Sequence, residues 1–324
     1  MSIAYPLFEG NILDVKEDTN ELDLHICIDS EKHIYLKEHI FGGQCFMPAT
    51  MVMELLFEAA FIYCETKKKI NVDEINPYKL IDLSIMRGIT MLPGEKTDIN
   101  IKVVEKQEQE SLYIFETVIY SNRTNKMGKI IAIKENVTSK VLLSKEKCCD
   151  SSEIILPKFF ADTYNISCEE LYRKQFPGLK YHFHTCQSRF QIDKKLKYCI
   201  GQFDLMDKEK TSIKGIESNY LTSPLGNDAC LQIAVFFSRI INLISKLPIG
   251  GDEIEMVCKN PIKGKVNVLV ECLQAGDDTH LNITSFYEDK IYTRMKNFVV
   301  RKSPYNSLIS RQELDDFMNS YKYI

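Results

Sequence analysis

The sequence predicts an α+β fold in which one unit, a long central helix followed by an antiparallel meander, occurs twice. Three observations predict it. Two apolar stretches of helical period, residues 48–69 and 226–246, are each followed by several strand-like runs. A strand-like run also precedes each helix. A Leu-Pro pair, Leu92-Pro93 in one half and Leu247-Pro248 in the other, follows the helix and comes just before a strand in both.

In the first half, ELDLHICID (21–29) alternates apolar and polar residues and reads as a strand. PATMVMELLFEAAFIYCETKKK follows, with Met51, Leu55, Ala59 and Tyr63 on adjoining turns and lysines gathering at the C-terminal end. The spacing predicts a helix over 48–66. The runs YKLIDLSIMRG, KTDINIKVVEK, SLYIFETVIYS and MGKIIAIKE are rich in β-branched and aromatic residues and bounded by turn residues, so each reads as a strand. Residues 137–165 show no clean period and are taken as a linker. The division falls at 145, with one unit over 1–145 and the second over 146–324.

The second half repeats the order. KYCIGQFDLMD precedes the helix GNDACLQIAVFFSRIINLISK, predicted over 226–246, with Ala229, Ile233, Phe236 and Ile240 on one face. DEIEMVCKN, KVNVLVECLQ, HLNITSFYED and KIYTRMKNFVV follow as strands, and KLPIGG is expected to be a turn like MLPG. A meander this long must bury one face, and its helix is the element available to cover it. A sheet curled round one helix is the hotdog arrangement, and two copies make a double hotdog. The tail, SRQELDDFMNSYKYI, opens with a capping box from Ser310 to Glu313 and reads as a short helix.

Composition bounds the function. The chain has 324 residues, 44% hydrophobic and 27% charged, which is globular, and long enough for a sizeable core. A net charge of −4 with no basic stripe argues against nucleic acid. The N-terminus lacks a signal-peptide pattern, no run suits a membrane span, and the eleven cysteines show no CxxC pair. The expectation is a cytoplasmic protein with reduced thiols and no zinc site. Walker and GxGxxG loops are absent from the sequence.

Chemistry concentrates around the start of each helix. HIYLKEHIFGGQCFMPAT (33–50) places His39 nine residues ahead of Pro48, with Gly42 and Gly43 between them. Proline suits the start of a helix, and the next amide, on Ala49, points out of the helix N-terminus where it can bind developing negative charge. A histidine and two glycines before an apolar helix also suit a buried turn, and the residues alone fit both readings. In the second half, TSPLGNDACLQIA (222–234) puts Asp228 and Gln232 four apart on one helix face. Asp228 alone also suits a helix N-terminal carboxylate.

The first stretch resembles the N-terminal active-site segment of polyketide synthase dehydratase domains, H-P-W-L-x-D-H-x-x-x-G-x-x-x-x-P-G. His33, Leu36, His39, Gly43 and Pro48 match, while Ile34, Tyr35, Glu38 and Ala49 depart. The second is similar to that family's H-P-x-L-L-D-A-x-L-Q. Pro224, Asp228, Ala229, Leu231 and Gln232 match, with Ser223 in place of the histidine. A third segment, G-Y-x-Y-G-P-x-F, is met in part by GLKYHFHTCQ, which keeps Gly178 and Tyr181 but has His182 and Phe183 where Gly and Pro are usual.

The resemblance implies a double hotdog dehydratase that removes water from a 3-hydroxyacyl thioester on an acyl carrier protein. His39 would be the base, Asp228 the acid, and the Ala49 amide the carbonyl donor. Gly43, Pro48, Tyr181 and Gln232 would line the substrate site. No cofactor and no metal is implied. Family habit and the exposed sheet edges suggest a homodimer. The alternatives are a double-bond isomerase on the same fold, which usually lacks the aspartate, and a non-catalytic double hotdog that holds a carrier-bound chain. A hotdog thioesterase would want a carboxylate and a water-positioning group instead.

Overall fold

The computed structural model describes residues 5–9, 12–18, 20–109, 111–124, 130–146, 154–175, 188–205, 212–214, 219–257, 264–287, 290–305 and 308–323. The first half runs β1 (Ile12–Asp18), β2 (Glu21–Asp29), α1 (Ile34–Lys37), β3 (Ile40–Phe41), β4 (Gln44–Phe46), α2 (Ala49–Tyr63), β5 (Asn76–Ile85), β6 (Thr90–Met91), β7 (Lys96–Gln109), β8 (Leu112–Thr124) and β9 (Ile130–Ser144). The second runs β10 (Ala161–Ile166), α3 (Cys168–Gln175), β11 (Ser188–Asp193), β12 (Tyr198–Leu205), α4 (Pro224–Asn242), β13 (Lys246–Met256), β14 (Gly264–Gln274), β15 (Asp278–Tyr287), β16 (Lys290–Lys302) and α5 (Arg311–Asn319).

Thirteen strands form one sheet in the order β1-β2-β7-β8-β9-β5-β13-β16-β15-β14-β12-β11-β10, and β3, β4 and β6 form a small second sheet. Every pairing in the large sheet is antiparallel. Outward from the β5–β13 seam the order is the same on both sides: β5-β9-β8-β7-β2-β1 on one, β13-β16-β15-β14-β12-β11 on the other. The duplicated order of the sequence is thus a duplicated strand order, joined where Ile254 faces Leu80 and Gly250 faces Ser84.

Each half has its own helix. α2 packs on β5, β7, β8 and β9; α4 packs on β12 through β16; and the two helices touch. Tyr63 of α2 meets Phe115 of β8 with ring centroids 5.1 Å apart, and Phe236 of α4 meets Phe190 of β11 at the same distance. All four rings are buried, each contributing about 1.5–3 kcal/mol by removal from water. Every residue of α2 from Thr50 to Tyr63 is buried. A helix enclosed on all sides keeps no polar face, which is why Glu54 and Glu58 lie among its apolar residues.

Several sequence expectations need correction. α2 ends at Tyr63 in a single π turn, Cys64–Lys68, closed by Lys69 in the left-handed region at φ 56°. α4 starts two residues earlier than expected and stops at Asn242, where Leu243 turns left-handed at φ 58° without a glycine to announce it. Lys246 already belongs to β13. Leu247 and Pro248 are also strand, not turn. Proline is tolerated there because pairing of β13 with β5 begins only at Gly250. Of the expected linker 137–165, the first part is strand: β9 continues through NVTSKVLLS to Ser144, burying Val137, Ser139, Val141 and Leu143. β10 takes its last residues. Its polar Asn, Thr and Ser hid a strand held between β8 and β5. The strands β1, β10 and β11 and the small sheet were not anticipated. The capping box is present, with Glu313 N–H donating to Ser310 Oγ at 3.1 Å and Ser310 N–H to Glu313 Oε2 at 2.8 Å.

Glu54 and Glu58, four residues apart on α2, are both 0% exposed. Burial raises both carboxyls above their ordinary value; Glu58 stands well above it, pushed further by its neighbour Glu54. Glu58 therefore keeps its proton and donates to Glu54, while its Oε2 accepts the Leu7 N–H at 3.0 Å. Tyr35 and Tyr5 face Glu58 from α1 and the N-terminal segment. A raised carboxyl contributes stability that is full below its unfolded value and is lost as pH rises through the folded one. Glu58→Gln supplies the same donor and acceptor without titrating. Its melting temperature should fall less than the wild type's between mildly acidic and alkaline pH, as measured by calorimetry. Parallel pH profiles would show that Glu58 does not carry the proton.

Candidate active site

The small sheet, α2 and α4 enclose a cavity of about 420 Å³. From the first half His39, Met47, Ala49 and Val52 line it; from α4, Asp228, Leu231, Gln232, Val235 and Arg239 do. The α4 residues recur at intervals of three and four, so one helix face forms the wall. Arg87, Lys302 and Tyr305 line it from exposed positions at its rim.

His39 sits between α1 and the β3–β4 hairpin, half-buried. Its backbone carbonyl accepts the Phe46 N–H at 2.9 Å, and its Nδ1 lies 2.9 Å from the Phe46 carbonyl. A carbonyl only accepts, so Nδ1 carries the proton and Nε2 of the neutral ring holds the lone pair. The Phe41 ring stands edge-on at 4.9 Å and limits rotation of the imidazole. Gly42 and Gly43 make the hairpin turn at φ 56° and 79°. A Cβ on Gly42 would come within 2.4 Å of the Tyr305 ring, which would have to move, and at φ 56° it would also be strained, so glycine suits this turn. Gly43 is exposed at the tip and lies outside the cavity lining. His33, the other matched histidine, is fully buried, and its Nδ1 bonds the Asp29 carbonyl at 2.9 Å. It belongs to the packing beneath the loop.

Pro48 is the residue before α2, at φ −56° and ψ 145°, and its carbonyl accepts the Val52 N–H at 3.0 Å. Ala49 is therefore the first helical residue. Its N–H has no intrahelical acceptor, and the residue borders the cavity. Pro48 itself is buried behind it.

Asp228 is the fifth residue of α4, one turn in from the helix start, and 6% exposed. Burial raises its carboxyl above the ordinary value, against smaller opposing pulls from His39 and from the Gln232 amide. His39 and Asp228, from opposite halves, are thus close enough to influence each other's charge. Gln232 Nε2 donates to Asp228 Oδ2 at 2.6 Å. With Oδ2 accepting, a proton on the acid belongs on Oδ1. Tyr181, with Gly178, His182 and Phe183, lies outside the described residues.

Among the residues that escaped the sequence reading are two on α3, CEELYRKQ. The Tyr172 hydroxyl donates to Gln232 Oε1 and so decides which end of the amide faces Asp228. Gln175, 3% exposed, lines the cavity one turn further. The spacing of two polar-capable residues three apart in a charged octapeptide is too common a pattern to single them out. Tyr172→Phe leaves the Gln232 oxygen without that donor, a loss of about 1 kcal/mol. If Asp228 is the acid, kcat should fall about five- to tenfold with KM little changed, which steady-state kinetics would read; an unchanged kcat would show that the amide keeps its orientation without Tyr172.

Among the described residues no cluster of three or more His, Cys, Asp or Glu side chains is arranged to hold a metal ion. No family model matches the chain, and no curated protein matches it in sequence. Solved structures do match. The dehydratase domain of the CurF module of curacin polyketide synthase has a TM-score of 0.66 at 16% identity, covering 93% of this chain and 99% of that one. A trans-AT polyketide synthase dehydratase domain from Brevibacillus brevis has a TM-score of 0.69 at 14% identity, covering 87% and 94%. An inactive mutant of the CurK dehydratase, with one histidine changed to phenylalanine, has a TM-score of 0.65 at 17% identity, covering 97% and 100%; a second inactive CurK mutant has one aspartate changed to asparagine. The chain has the fold of the polyketide synthase dehydratase domains.

Proposed function

We propose that this chain is a double hotdog dehydratase that converts a 3-hydroxyacyl thioester, carried on an acyl carrier protein, into the enoyl thioester and water. One observation carries the reading: a histidine with its lone pair on Nε2 and a buried carboxyl with a raised affinity for its proton line the same cavity from the two halves, 1–145 and 146–324. The inactive histidine and aspartate variants of the CurK dehydratase support the pairing.

His39 Nε2 takes the proton from C2 of the substrate. The Ala49 N–H holds the thioester oxygen as charge gathers on it. Asp228 Oδ1 gives its proton to the C3 hydroxyl, which leaves as water as the C2–C3 double bond forms. Phe46, through its carbonyl, keeps His39 in the required tautomer, and Gln232 keeps Asp228 turned toward the substrate. Burial resolves the tension between an acid that must start protonated and a helix N-terminus that favours the carboxylate. Pro48 sets the start of α2 and so the Ala49 amide, Gly43 shapes the hairpin that carries His39, and Tyr181 would meet the substrate hydroxyl or chain. Apolar Met47, Val52, Leu231 and Val235 suit an acyl chain.

The carrier's arm would enter past Arg87 and Lys302, two exposed cations suited to a phosphate and an acidic surface. No described helix is long and apolar enough to cross a membrane. A cytoplasmic homodimer completes the reading. The test is mass spectrometry of a 3-hydroxyacyl carrier protein incubated with the chain. Loss of water with a bell-shaped pH–rate profile is expected, both limbs belonging to the coupled pair. Intact substrate at every chain length and both C3 configurations would refute the dehydratase.

A further inference from the structure

The buried carboxylate of Glu54 makes a connection the reaction itself does not use. It accepts the Leu221 N–H at 2.5 Å, the Thr222 N–H at 2.9 Å and the Thr222 hydroxyl at 2.5 Å. Leu221 and Thr222 lead directly into Ser223, the residue before α4. The Ser223 carbonyl then accepts the Asn227 N–H at 2.8 Å, and Asp228 follows. At the other end, Glu54 lies five residues after Ala49 on α2, about 7.5 Å along the axis. One side chain of the first half therefore grips the chain of the second half just before its acid.

We propose that Glu54 is a positioning residue for the dehydration site, fixing the start of α4 against α2 so that Asp228 meets the same substrate as His39 and the Ala49 amide. This rests on the dehydratase reading above. Three donors converge on one carboxylate, and Glu58 adds a fourth from the next turn. Hydrogen bonds to a charged acceptor are stronger and shorter than neutral ones. All members are buried, so no water can replace a lost partner: Leu221 is 1%, Thr222 1% and Glu54 0% exposed. The contacts span the two halves, which also meet through the β5–β13 ladder, a backbone bridge at His33 and Ile213, the Lys79 ion pairs with Glu253 and Glu255, and apolar packing. Apolar contacts tolerate sliding, whereas directional hydrogen bonds set a height along the helix axis.

Glu54→Gln keeps the volume but turns one acceptor into a donor facing a backbone N–H. In a folded variant, kcat for dehydration should fall at least tenfold with KM within twofold. The alkaline limb of the pH–rate profile should move to lower pH, because a displaced Asp228 is less buried and yields its proton sooner. Thr222→Val, which removes only the hydroxyl donor, should shift both quantities the same way by a smaller factor, and it serves if Glu54→Gln does not fold. The Asp228 carboxyl can also be followed without substrate, by carbon-13 NMR of aspartate-labelled protein, with Asp228→Asn assigning the signal. Its titration should move down in Glu54→Gln and, less, in Thr222→Val. An unmoved Asp228 titration in a folded variant overturns the proposal. An inactive wild type with a moved titration removes the dehydratase reading and leaves the positioning intact.

Discussion

Asp228→Asn should abolish dehydration, by about three orders of magnitude, while leaving a folded chain. Asparagine has the shape of aspartate and can still accept the Gln232 amide on its oxygen. Its NH2 group cannot deliver a proton to a departing hydroxyl. His39→Ala should cost as much for a different reason: nothing else at Nε2's place can accept the C2 proton. The losses should not add, since both residues serve one step, and the double variant should be close to either single one. Exchange of the C2 proton in deuterated water separates the roles. Asp228→Asn can retain exchange through His39, whereas His39→Ala cannot. Wild-type turnover in a folded His39→Ala protein would sink the mechanism, and the non-catalytic carrier-holding reading would then lead. Because burial raises the Asp228 carboxyl, the wild-type activity should persist above the range of an ordinary carboxylate and fall when the pair loses its last proton.

What could be read in the sequence follows from how each element meets solvent. Strands β2, β7, β8, β14, β15 and β16 were legible because one face is buried and the other wet, which writes alternation into ELDLHICID and KVNVLVECLQ. The existence of α2 and α4 was legible from length and apolar content. The orientation of α2 was not, because Thr50 to Tyr63 are all buried and no polar face marks a side. Glu54 and Glu58 would pass for a solvated stripe at helical spacing. Only their partners, 51 to 168 residues away in sequence, reveal them as core. Asp228 and Gln232 could be paired because a helix sets their separation locally. Tyr172 could not be found, since its contact with Gln232 spans 60 residues and depends on how α3 docks. The β13 error has the same root. KLPIGG reads as a turn by local chemistry, and only its position at the seam makes it a strand.

That seam yields the second large effect. Gly250→Ala should destabilise the chain by about 3 kcal/mol or more, and the loss should be read as weakened contact between the halves. Gly250 sits at φ 140°, a backbone conformation L side chains rarely adopt. A Cβ there would lie 1.9 Å from the Leu83 carbonyl oxygen and 2.8 Å from its carbon. These are backbone atoms, so no rotamer change relieves the clash; β5 itself must move. Gly250 is also where β13 begins to pair with β5, opposite Ser84, and where its register against β16 shifts after Pro248. Moving β5 here disturbs Ile85 through Ile89, which line the cavity just beyond it. Chemical denaturation should therefore show a lower midpoint, and dehydration should weaken together with stability. Alanine at Gly43, which has open space around it, should cost only its left-handed backbone strain, about 1 kcal/mol. A Gly250→Ala protein as stable as the wild type would mean that the seam is not held at this register, and that the two halves meet in some other way.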